Sequence, residues 1–249
     1  MIDIFVINLP SSIERKENIS KQLRQLDLSF ELFKAVNGHK ESSPLFKLYD
    51  EELSQQCRGK SLSKGQLGCY ASHYLLWQKC VELNKPIIIL EDDALIYPEP
   101  FLDIIENADK LAERFECIRL FDNKRKTFRH AVEYPLPHTA VHKFSKGHMS
   151  ATGYFLTPTG AKKFLTHSQA WYLAVDIYMD RFWVNDVNVY GTVPACLSND
   201  PKFDSDIGYG AKPKRDLYCR FKREVFNLAE LFRREYHNAC YKIRTKRKP

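Results

Sequence analysis

The chain has 249 residues, of which 44% are hydrophobic and 28% charged, with 10 Gly and 12 Pro. This composition is typical of a soluble globular protein and excludes a collagen-like, low-complexity or wholly disordered chain. The net charge of +7 is uneven, because residues 212–249 hold 13 Lys/Arg against 4 Asp/Glu, whereas residues 1–211 hold 25 against 27. A nucleic-acid enzyme normally carries its basic patch around the active groove, so this distribution argues against a nucleic-acid partner.

Strands and helices alternate through the first half of the sequence, which predicts an α/β fold with a mainly parallel central sheet and right-handed crossovers. The predicted elements in chain order are a strand at 3–8, a helix from about 12 to 26, a strand at 30–36, a helix at 65–83, a strand at 87–90, a helix at 100–114, strands at 117–121 and 151–157, helices at 158–167 and 175–184, a strand at 187–190 and an amphipathic helix at 216–237. Residues 39–60 are expected to form a loop with one short helix, and 123–148 and 198–215 to be irregular. We therefore divide the chain into an α/β domain at 1–211 and a basic helical tail at 212–249.

Several features favour a cytoplasmic protein. The purest apolar run, Ile87–Leu90, is far shorter than the roughly 18 to 20 residues of a membrane span. The amino terminus carries an acid where a signal peptide would carry Lys or Arg. Seven cysteines, an odd number without a CxxC pair, indicate buried free thiols rather than a disulfide framework or a zinc site.

The sharpest chemical signal is three consecutive carboxylates, Glu91, Asp92 and Asp93, directly after the most hydrophobic strand. In an extended chain alternate side chains share a face, so Glu91 and Asp93 are predicted to point together and Asp92 away. Two acids at the carboxyl end of a strand suit a hard divalent cation that also binds diphosphate oxygens. The alternative is that the acids cap the next helix or form a solvated turn. Asn8, at the corresponding end of the first strand, is expected to face the same crevice.

Other candidate residues are ambiguous on their own. His73 lies in a helix spaced for packing, where a hydrogen-bonded core histidine is the simpler interpretation. Asp176 stands at a predicted helix start and could be a plain cap. Asp200 and Asp206 belong to an acid-rich stretch that composition alone would describe as a surface loop.

Six short motifs occur in the order found in glycosyltransferase family 25, the bacterial lipooligosaccharide galactosyltransferases and related collagen galactosyltransferases. They are Phe5-Val6-Ile7-Asn8-Leu9 with Arg15, Ala35-Val36-Asn37-Gly38, Gly65-Gln66-Leu67-Gly68-Cys69 with Ser72-His73, Leu90-Glu91-Asp92-Asp93, Gly153-Tyr154 with Gly160-Ala161, and Val175-Asp176. Residues 3–207 therefore resemble that family. Three departures from its pattern are Pro10-Ser11 in place of Asp-Arg, Asn37 in place of Asp, and Gln66 in place of Glu, and they neutralise acids near the expected donor pocket.

The resemblance implies a GT-A-type, Rossmann-like fold that uses a nucleotide sugar, commonly UDP-galactose, with Mn²⁺ (or Mg²⁺) and inversion at the anomeric carbon. It implies a metal held by Asp93, helped by Glu91 or Asp92 and completed by Asp206 or Asp200, and it implies Asp176 as the base that takes the acceptor proton. The donor contacts that it implies are Asn8, Leu9, Arg15, Asn37, His73, Glu91 and Asp92. The acceptor contacts that it implies are His148 and Tyr154.

The basic tail suggests a partner of its own. Leu217, Phe221, Val225, Leu228 and Phe232 share one face of the predicted helix, and the run at 242–248 is strongly basic. Such a segment can hold an enzyme at the anionic inner face of a bacterial inner membrane, which suits a lipid-linked oligosaccharide acceptor. The alternative is a helix that packs on the body. The competing functions are transfer from another UDP-sugar, a metal-dependent phosphohydrolase, and a non-catalytic polyanion-binding protein.

Overall fold

A computed structural model of the chain describes residues 2–203 and 217–246. Its strands are β1 (Asp3–Asn8), β2 (Glu31–Lys34), β3 (Ile87–Glu91), β4 (Ala94–Ile96), β5 (Cys117–Arg119), β6 (His130–Pro135), β7 (Ala140–Phe144), β8 (Gly153–Leu156), β9 (Tyr190–Val193) and β10 (Leu197–Asn199). Its helices are α1 (Ile13–Gln25), α2 (Glu51–Arg58), α3 (Lys64–Leu83), α4 (Pro98–Glu106), α5 (Ala108–Ala112), α6 (Pro158–Thr166), α7 (Val175–Met179), α8 (Phe182–Asn185) and α9 (Leu217–Lys246), with a 3₁₀ turn at Pro44–Leu48.

Eight strands form one mixed sheet in the order β2-β1-β3-β8-β5-β9-β7-β6, and β4 pairs with β10 beside it. β1 runs parallel to β2 and β3, and β5 runs parallel to β9, whereas β8 and β7 run antiparallel to their neighbours. Six of these eight strands therefore point the same way. The α/β fold with a mainly parallel sheet is confirmed.

The two faces of this sheet bury two separate hydrophobic clusters, as the alternation of side chains along a strand requires. Odd-numbered residues of β1 and β3, such as Ile7 and Ile89, pack with the aromatic side of α3 around Trp77. Even-numbered ones, such as Val6 and Ile88, pack with α1 and α4. β3 is covered on both sides, which explains why its sequence is continuously apolar.

Two glycines let a turn lie directly on α3. A Cβ atom at Gly38 would stand 1.8 Å from the Lys64 carbonyl oxygen, and one at Gly68 would stand 2.4 Å from the Val36 carbonyl oxygen. Any larger residue would push the turn at 36–38 away from the helix. This contact explains the glycines of the second and third motifs, and it fixes one wall of the site described below.

Several elements differ from the sequence prediction. The hairpin β6–β7 lies in the stretch expected to be irregular, because β6 is a largely exposed edge strand without an apolar alternation. The helix predicted at 100–114 is interrupted at Asn107, and that at 175–184 is interrupted after Met179. The strand predicted at 187–190 is found a few residues later in the chain, as β9. The short pair β4–β10 was not predicted. α9 continues past residue 237 to Lys246.

Candidate active site

The acidic triplet lies where the parallel strands β1 and β3 end side by side. Ile7 is paired with Glu91 in the parallel register, so Asn8 is the neighbour of the two acids that follow β3. Open α/β sheets bind their ligands outside the carboxyl ends of such strands. The predicted juxtaposition of Asn8 with the triplet is therefore present.

Asp92 points back toward β1 and α1. One carboxylate oxygen accepts a hydrogen bond from Asn8 Nδ2 at 2.7 Å, and the other lies 3.3 Å from Arg15 Nη1. Burial raises the pKa of Asp92 above its ordinary value, and the contacts with Asn8 and Arg15 partly oppose that increase. Asn8 is itself buried, so its role in this geometry is to hold Asp92 rather than to reach a ligand.

Glu91 is held by a chain of buried hydrogen bonds. His73 Nε2 lies 3.2 Å from a Glu91 carboxylate oxygen, and His73 Nδ1 lies 2.9 Å from the Tyr154 hydroxyl, which also accepts a hydrogen bond from Trp77 Nε1. Burial by itself would raise the pKa of Glu91, but the hydrogen bond and charge of His73 lower it overall. His73 and Tyr154 are fully buried. Neither residue lines either cleft, and both position Glu91, so their contacts with donor and acceptor stay predictions.

Asp93 differs from its two neighbours because one of its buried oxygens, Oδ1, has no hydrogen-bond partner among the described residues. The other oxygen accepts from Asn199 Nδ2 at 3.0 Å. Burial, followed by the nearby charge of Glu91, raises the pKa of Asp93 to about 7. A buried, unpartnered carboxylate oxygen beside a second carboxylate fits a hard divalent cation, which supplies the missing positive charge.

Two clefts meet at these acids. The first cleft is lined by Ile7, Leu9, Arg15, Ala35, Val36, Asn37, Gly38, His39, Gly65, Cys69, Ser72, Glu91, Asp92 and Asp93, and it encloses about 720 Å³ including the part open to solvent. The second cleft is lined by Lys60, Gln66, Cys69, Glu91, Asp93, Lys124, Met149, Ser150, Ala151, Thr152, Ala174, Val175, Asp176, Ile177, Asn199 and Phe203, and it encloses about 1380 Å³ on the same basis. Glu91 and Asp93 line both clefts, whereas Asp92 lines the first alone. The alternation predicted from the sequence is confirmed.

Asp176 lies on α7 and lines the second cleft together with Glu91 and Asp93. Burial and then the charge of Asp180 raise the pKa of Asp176 above its ordinary value. A carboxylate with a raised pKa is a better proton acceptor than a fully solvated one at neutral pH.

Asp180 organises the wall of the second cleft, and no role for it was predicted. Its two carboxylate oxygens contact Arg119 at 3.1 Å and Arg125 at 3.0 Å. They also accept the backbone N–H groups of His148 at 2.9 Å and Met149 at 3.0 Å. The loop that carries Met149 is therefore fixed by a single buried carboxylate. The only sequence signal was an acid four residues after Asp176 in a segment with few polar residues.

His148 lies in the interior and not on the wall of either cleft. It is 1% exposed and packs against Phe144, with the ring centroids 4.5 Å apart. Burial, with the charges of Arg119 and Arg125, lowers its pKa well below the ordinary value, so the ring is neutral. Its side chain lines neither cleft, so the acceptor contact of His148 stays a prediction.

A second group of possible metal ligands, Cys69, His73 and Glu91, has ligand atoms within 4.8 Å of one another. Both His73 nitrogens already have hydrogen-bond partners. Burial raises the pKa of Cys69 well above its ordinary value, which keeps the thiol protonated. This trio is therefore a hydrogen-bonded support for Glu91, and the orphaned oxygen of Asp93 is the better cation ligand.

Asp206 and Asp200 are the two residues that were predicted to complete the metal shell. Asp206 lies outside the described residues. The Asp200 carboxylate accepts hydrogen bonds from Asn18 Nδ2 at 3.0 Å and from the Lys202 backbone N–H at 3.0 Å, and the Asp200 N–H donates to the Asp93 carbonyl at 2.8 Å. Asp200 thus supports the loop behind Asp93, and both of its carboxylate oxygens are engaged.

Asn37 and Gln66 depart from the family pattern, and each forms local hydrogen bonds that the usual acid could also form. Asn37 Oδ1 accepts the N–H groups of His39 and Lys40, as an Asp side chain would. Gln66 is the third residue of α3, and it forms a capping box with Ser63, which either Gln or Glu can complete. Asn37 also lines the first cleft with Leu9 and Arg15, and their contacts with a donor stay predictions.

Comparison with known proteins gives one family. The model of glycosyltransferase family 25 (LPS biosynthesis protein) matches residues 1–179. Lipooligosaccharide biosynthesis protein lic2B of Haemophilus influenzae is 28% identical to this chain, covering 88% of this chain and 85% of that protein.

Two animal relatives match over a smaller part of their own length. The probable inactive glycosyltransferase 25 family member 3 of Bos taurus is 25% identical, and procollagen galactosyltransferase 1-A of Xenopus laevis is 24% identical, each over 66% of this chain. The chain spans only 28% of each of these two proteins.

Proposed function

This chain belongs to glycosyltransferase family 25, and from that membership we propose that it transfers a hexose, galactose from UDP-galactose in the first instance, to the glycan of a lipooligosaccharide or lipopolysaccharide acceptor. One observation carries the proposal. Asp93, which has one buried oxygen without a partner among the described residues, lines two clefts at the carboxyl end of a parallel strand. A nucleoside diphosphate and an acceptor each require one such cleft, and the bond to be broken must lie between them.

The first cleft is assigned to the nucleotide. It lies at the ends of β1 and β3, where Leu9 and Asn37 offer an apolar surface and an amide. Arg15 brings a positive charge to the same wall, although it shares that charge with Asp92. Asn8 contributes indirectly by fixing Asp92.

Asp93 and Glu91 are assigned to the divalent cation, because both line the two clefts and one Asp93 oxygen has no hydrogen-bond partner among the described residues. When bound there, Mn²⁺ or Mg²⁺ neutralises charge on the diphosphate as UDP leaves. His73 holds the Glu91 carboxylate in one orientation, and Asn199 does the same for Asp93. These two contacts orient the carboxylates, and Asn199 also lines the second cleft.

Asp176 is assigned as the general base. The acceptor hydroxyl oxygen attacks the anomeric carbon, its proton passes to the Asp176 carboxylate, and the bond from that carbon to the β-phosphate oxygen breaks. This single displacement inverts the anomeric carbon. The position of Asp176 on the second cleft, which Asp93 also lines, supports the assignment.

The reaction is assigned to the cytoplasmic side of the inner membrane, where a nucleotide sugar and a lipid-linked acceptor meet. The basic tail supports that location. An alternative function is transfer from a UDP-sugar other than UDP-galactose, which would require only different contacts to the sugar. A metal-dependent phosphohydrolase would use the same acids but would need no second substrate.

The test measures sugar transfer by the purified full chain from a panel of UDP-sugars to a truncated lipooligosaccharide, with and without Mn²⁺, by mass spectrometry of the acceptor. We expect a mass increase of one hexose that requires Mn²⁺. Asp93→Asn should reduce the rate at least about 100-fold, whereas Asp109→Asn, at an exposed position on α5, should not. Release of UDP or phosphate at the same rate without an acceptor would instead support the hydrolase. Unchanged turnover in Asp93→Asn would overturn the metal assignment.

A further inference from the structure

The long helix α9 carries an apolar face that the rest of the described chain does not cover. Its large apolar side chains are between 41% and 74% exposed, and they are Phe221, Val225, Leu228, Leu231, Phe232, Tyr236 and Ile243. Their spacing of three, four or seven residues, apart from Leu231 beside the row, places them on one side of the helix. We call these seven residues the apolar face. At 1.5 Å per residue the 30-residue helix is about 45 Å long.

The opposite side of α9 is attached to the body by specific contacts. Glu230 forms an ion pair with the buried Arg181, and Asn238 Nδ2 donates to the Ser145 carbonyl at 3.0 Å. The His237 ring packs on Phe182 with centroids 5.0 Å apart, and the Tyr241 hydroxyl donates to Glu133 at 3.0 Å. The helix cannot rotate its apolar face inward without losing these contacts. The apolar face is therefore presented outward by an anchored helix.

Positive charge borders the apolar face. The 30 residues of α9 contain eight Lys/Arg and three Asp/Glu. Arg220 lies to one side of its first turns and Lys242 flanks its end, and both side chains are exposed. All three acids, Glu224, Glu230 and Glu235, are engaged by arginines. The sequence adds further basic residues directly before and after the helix, at 212–215 and 247–248.

We propose that the apolar face lies in the headgroup region of an anionic lipid bilayer, with α9 parallel to the membrane surface. An exposed apolar stripe bordered by Lys and Arg is the pattern of a helix that inserts its apolar side between headgroups while its cations contact acidic lipids. A second copy of the chain fits less well, because two such faces would bring two strongly positive helices together. None of the described helices is long and apolar enough to cross a bilayer, so the helix lies on it.

This inference does not depend on the glycosyl transfer proposed above, because it concerns only the attachment of the folded chain to lipid. It assigns the membrane contact to α9 and leaves the two clefts free. A failure of the transfer assay and a failure of membrane binding are therefore distinguishable.

The test is co-sedimentation of the full chain with vesicles of phosphatidylcholine, with and without phosphatidylglycerol. We expect binding only to the anionic vesicles and a strong decrease at high salt. The double variant Leu228→Gln/Phe232→Gln should bind at least about tenfold more weakly. Arg220→Gln and Lys242→Gln should each weaken binding about fivefold, as expected for one cation near an anionic leaflet. The matched control is Val132→Gln, which alters an exposed apolar residue on β6 and should bind like the parent chain.

Circular dichroism and thermal unfolding of each variant keep the test independent of folding. A folded double variant that still binds as the parent does would overturn the proposal, as would equal binding to neutral vesicles at all salt concentrations. Light scattering of the lipid-free protein measures whether the chain forms a dimer. A dimer that the double variant abolishes, together with no vesicle binding, would replace the bilayer by a second copy.

Discussion

Three adjacent carboxylates, with the same chemistry in the sequence, have three different environments in the fold. Asp92 is paired with Asn8 and Arg15, Glu91 is oriented by His73, and Asp93 retains an unpartnered oxygen. The differences arise because successive side chains at the end of a strand point to opposite sides. The local sequence predicts this alternation, but not which partners lie on each side.

Replacement of Asp176 tests the general base. In Asp176→Asn the carboxamide keeps the shape of the side chain but cannot accept the acceptor proton. We expect kcat to fall by about 100-fold or more, with little change in the affinity for UDP-galactose measured by calorimetry. Because burial and Asp180 raise the pKa of Asp176, the rate of the parent chain should also fall as the pH decreases through that raised value.

The control is Asp109→Asn, whose turnover should match that of the parent chain. An Asp176→Asn variant that keeps transfer, or that loses donor binding to the same extent as transfer, would remove Asp176 from the role of base. In the second case its carboxylate would belong to the binding of the donor.

The sequence predicts the position of a candidate residue better when the residues around it are near in the chain or in an adjacent strand. The triplet, Leu9 and Asn37 all lie at the first cleft, because each follows a strand whose position the apolar pattern predicts. The burial of His73, Tyr154 and His148 was not predicted, because it depends on contacts from elements far away in the chain. The hydrogen bond between His73 and Tyr154 joins residues 81 positions apart. No local pattern contains that information.

At the scale of elements, the packing of the turn at 36–38 on α3 requires glycine on both sides. This requirement predicts a change in stability opposite to the one that helix propensity predicts for Gly→Ala. Gly→Ala in a helix interior ordinarily stabilises by up to about 1 kcal/mol. Gly68→Ala should instead destabilise by about 2 kcal/mol, because the new methyl group would meet the Val36 carbonyl and the Gly38 nitrogen at 2.4 Å and 2.7 Å.

Urea unfolding measures this effect. Gln78→Ala, at an exposed position on the same helix, is the control and should change the free energy of unfolding by less than about 0.5 kcal/mol. Equal stability of Gly68→Ala and Gln78→Ala would show that the turn relaxes away from α3 without loss.

Elements with a strong apolar periodicity were predicted well, and edge elements were not. β1, β3 and α3 are buried by neighbours on both sides, so their sequences carry a clear pattern. β6 has little to bury, and β4 and β10 contain three residues each, which is too short for a pattern. The breaks at Asn107 and after Met179 depend on where neighbouring elements require the chain to turn, and helical spacing does not show them.

At the scale of the whole molecule, α9 is joined to the body partly through a buried lysine. Lys143 Nζ lies 4.9 Å from the ring centroid of Phe182 and 4.8 Å from that of Tyr241 on α9. Burial lowers its pKa to about 8, and Glu133 opposes that decrease. The amphipathic pattern predicted a helix here, with membrane binding or packing on the body as its alternative roles. One side of α9 packs on the body, and membrane binding by the exposed apolar face stays a proposal.

The lowered pKa of Lys143 predicts how stability depends on pH. The unfolded chain binds a proton at this residue up to about pH 10.4, whereas the folded chain releases it near pH 8. Stability therefore rises with pH between these two values. The difference in the free energy of unfolding between the parent chain and Lys143→Met should increase by about 2 kcal/mol in favour of the parent from pH 7 to pH 10.

Urea unfolding at several pH values measures this difference, and all groups common to both proteins cancel. Lys110→Met, at an exposed position on α5, serves as the comparison and should show no such trend. A flat difference for Lys143→Met would mean that water reaches the ammonium group in the folded chain.

The common wall formed by Glu91 and Asp93 has a consequence for the order of events during turnover. On the proposed assignment of the two clefts, donor and acceptor are bound on either side of that wall when the sugar is transferred. The proposed single displacement then predicts turnover through a ternary complex rather than through a glycosylated enzyme. UDP bound at the acids that the next donor needs is, on the same proposal, expected to delay the following cycle.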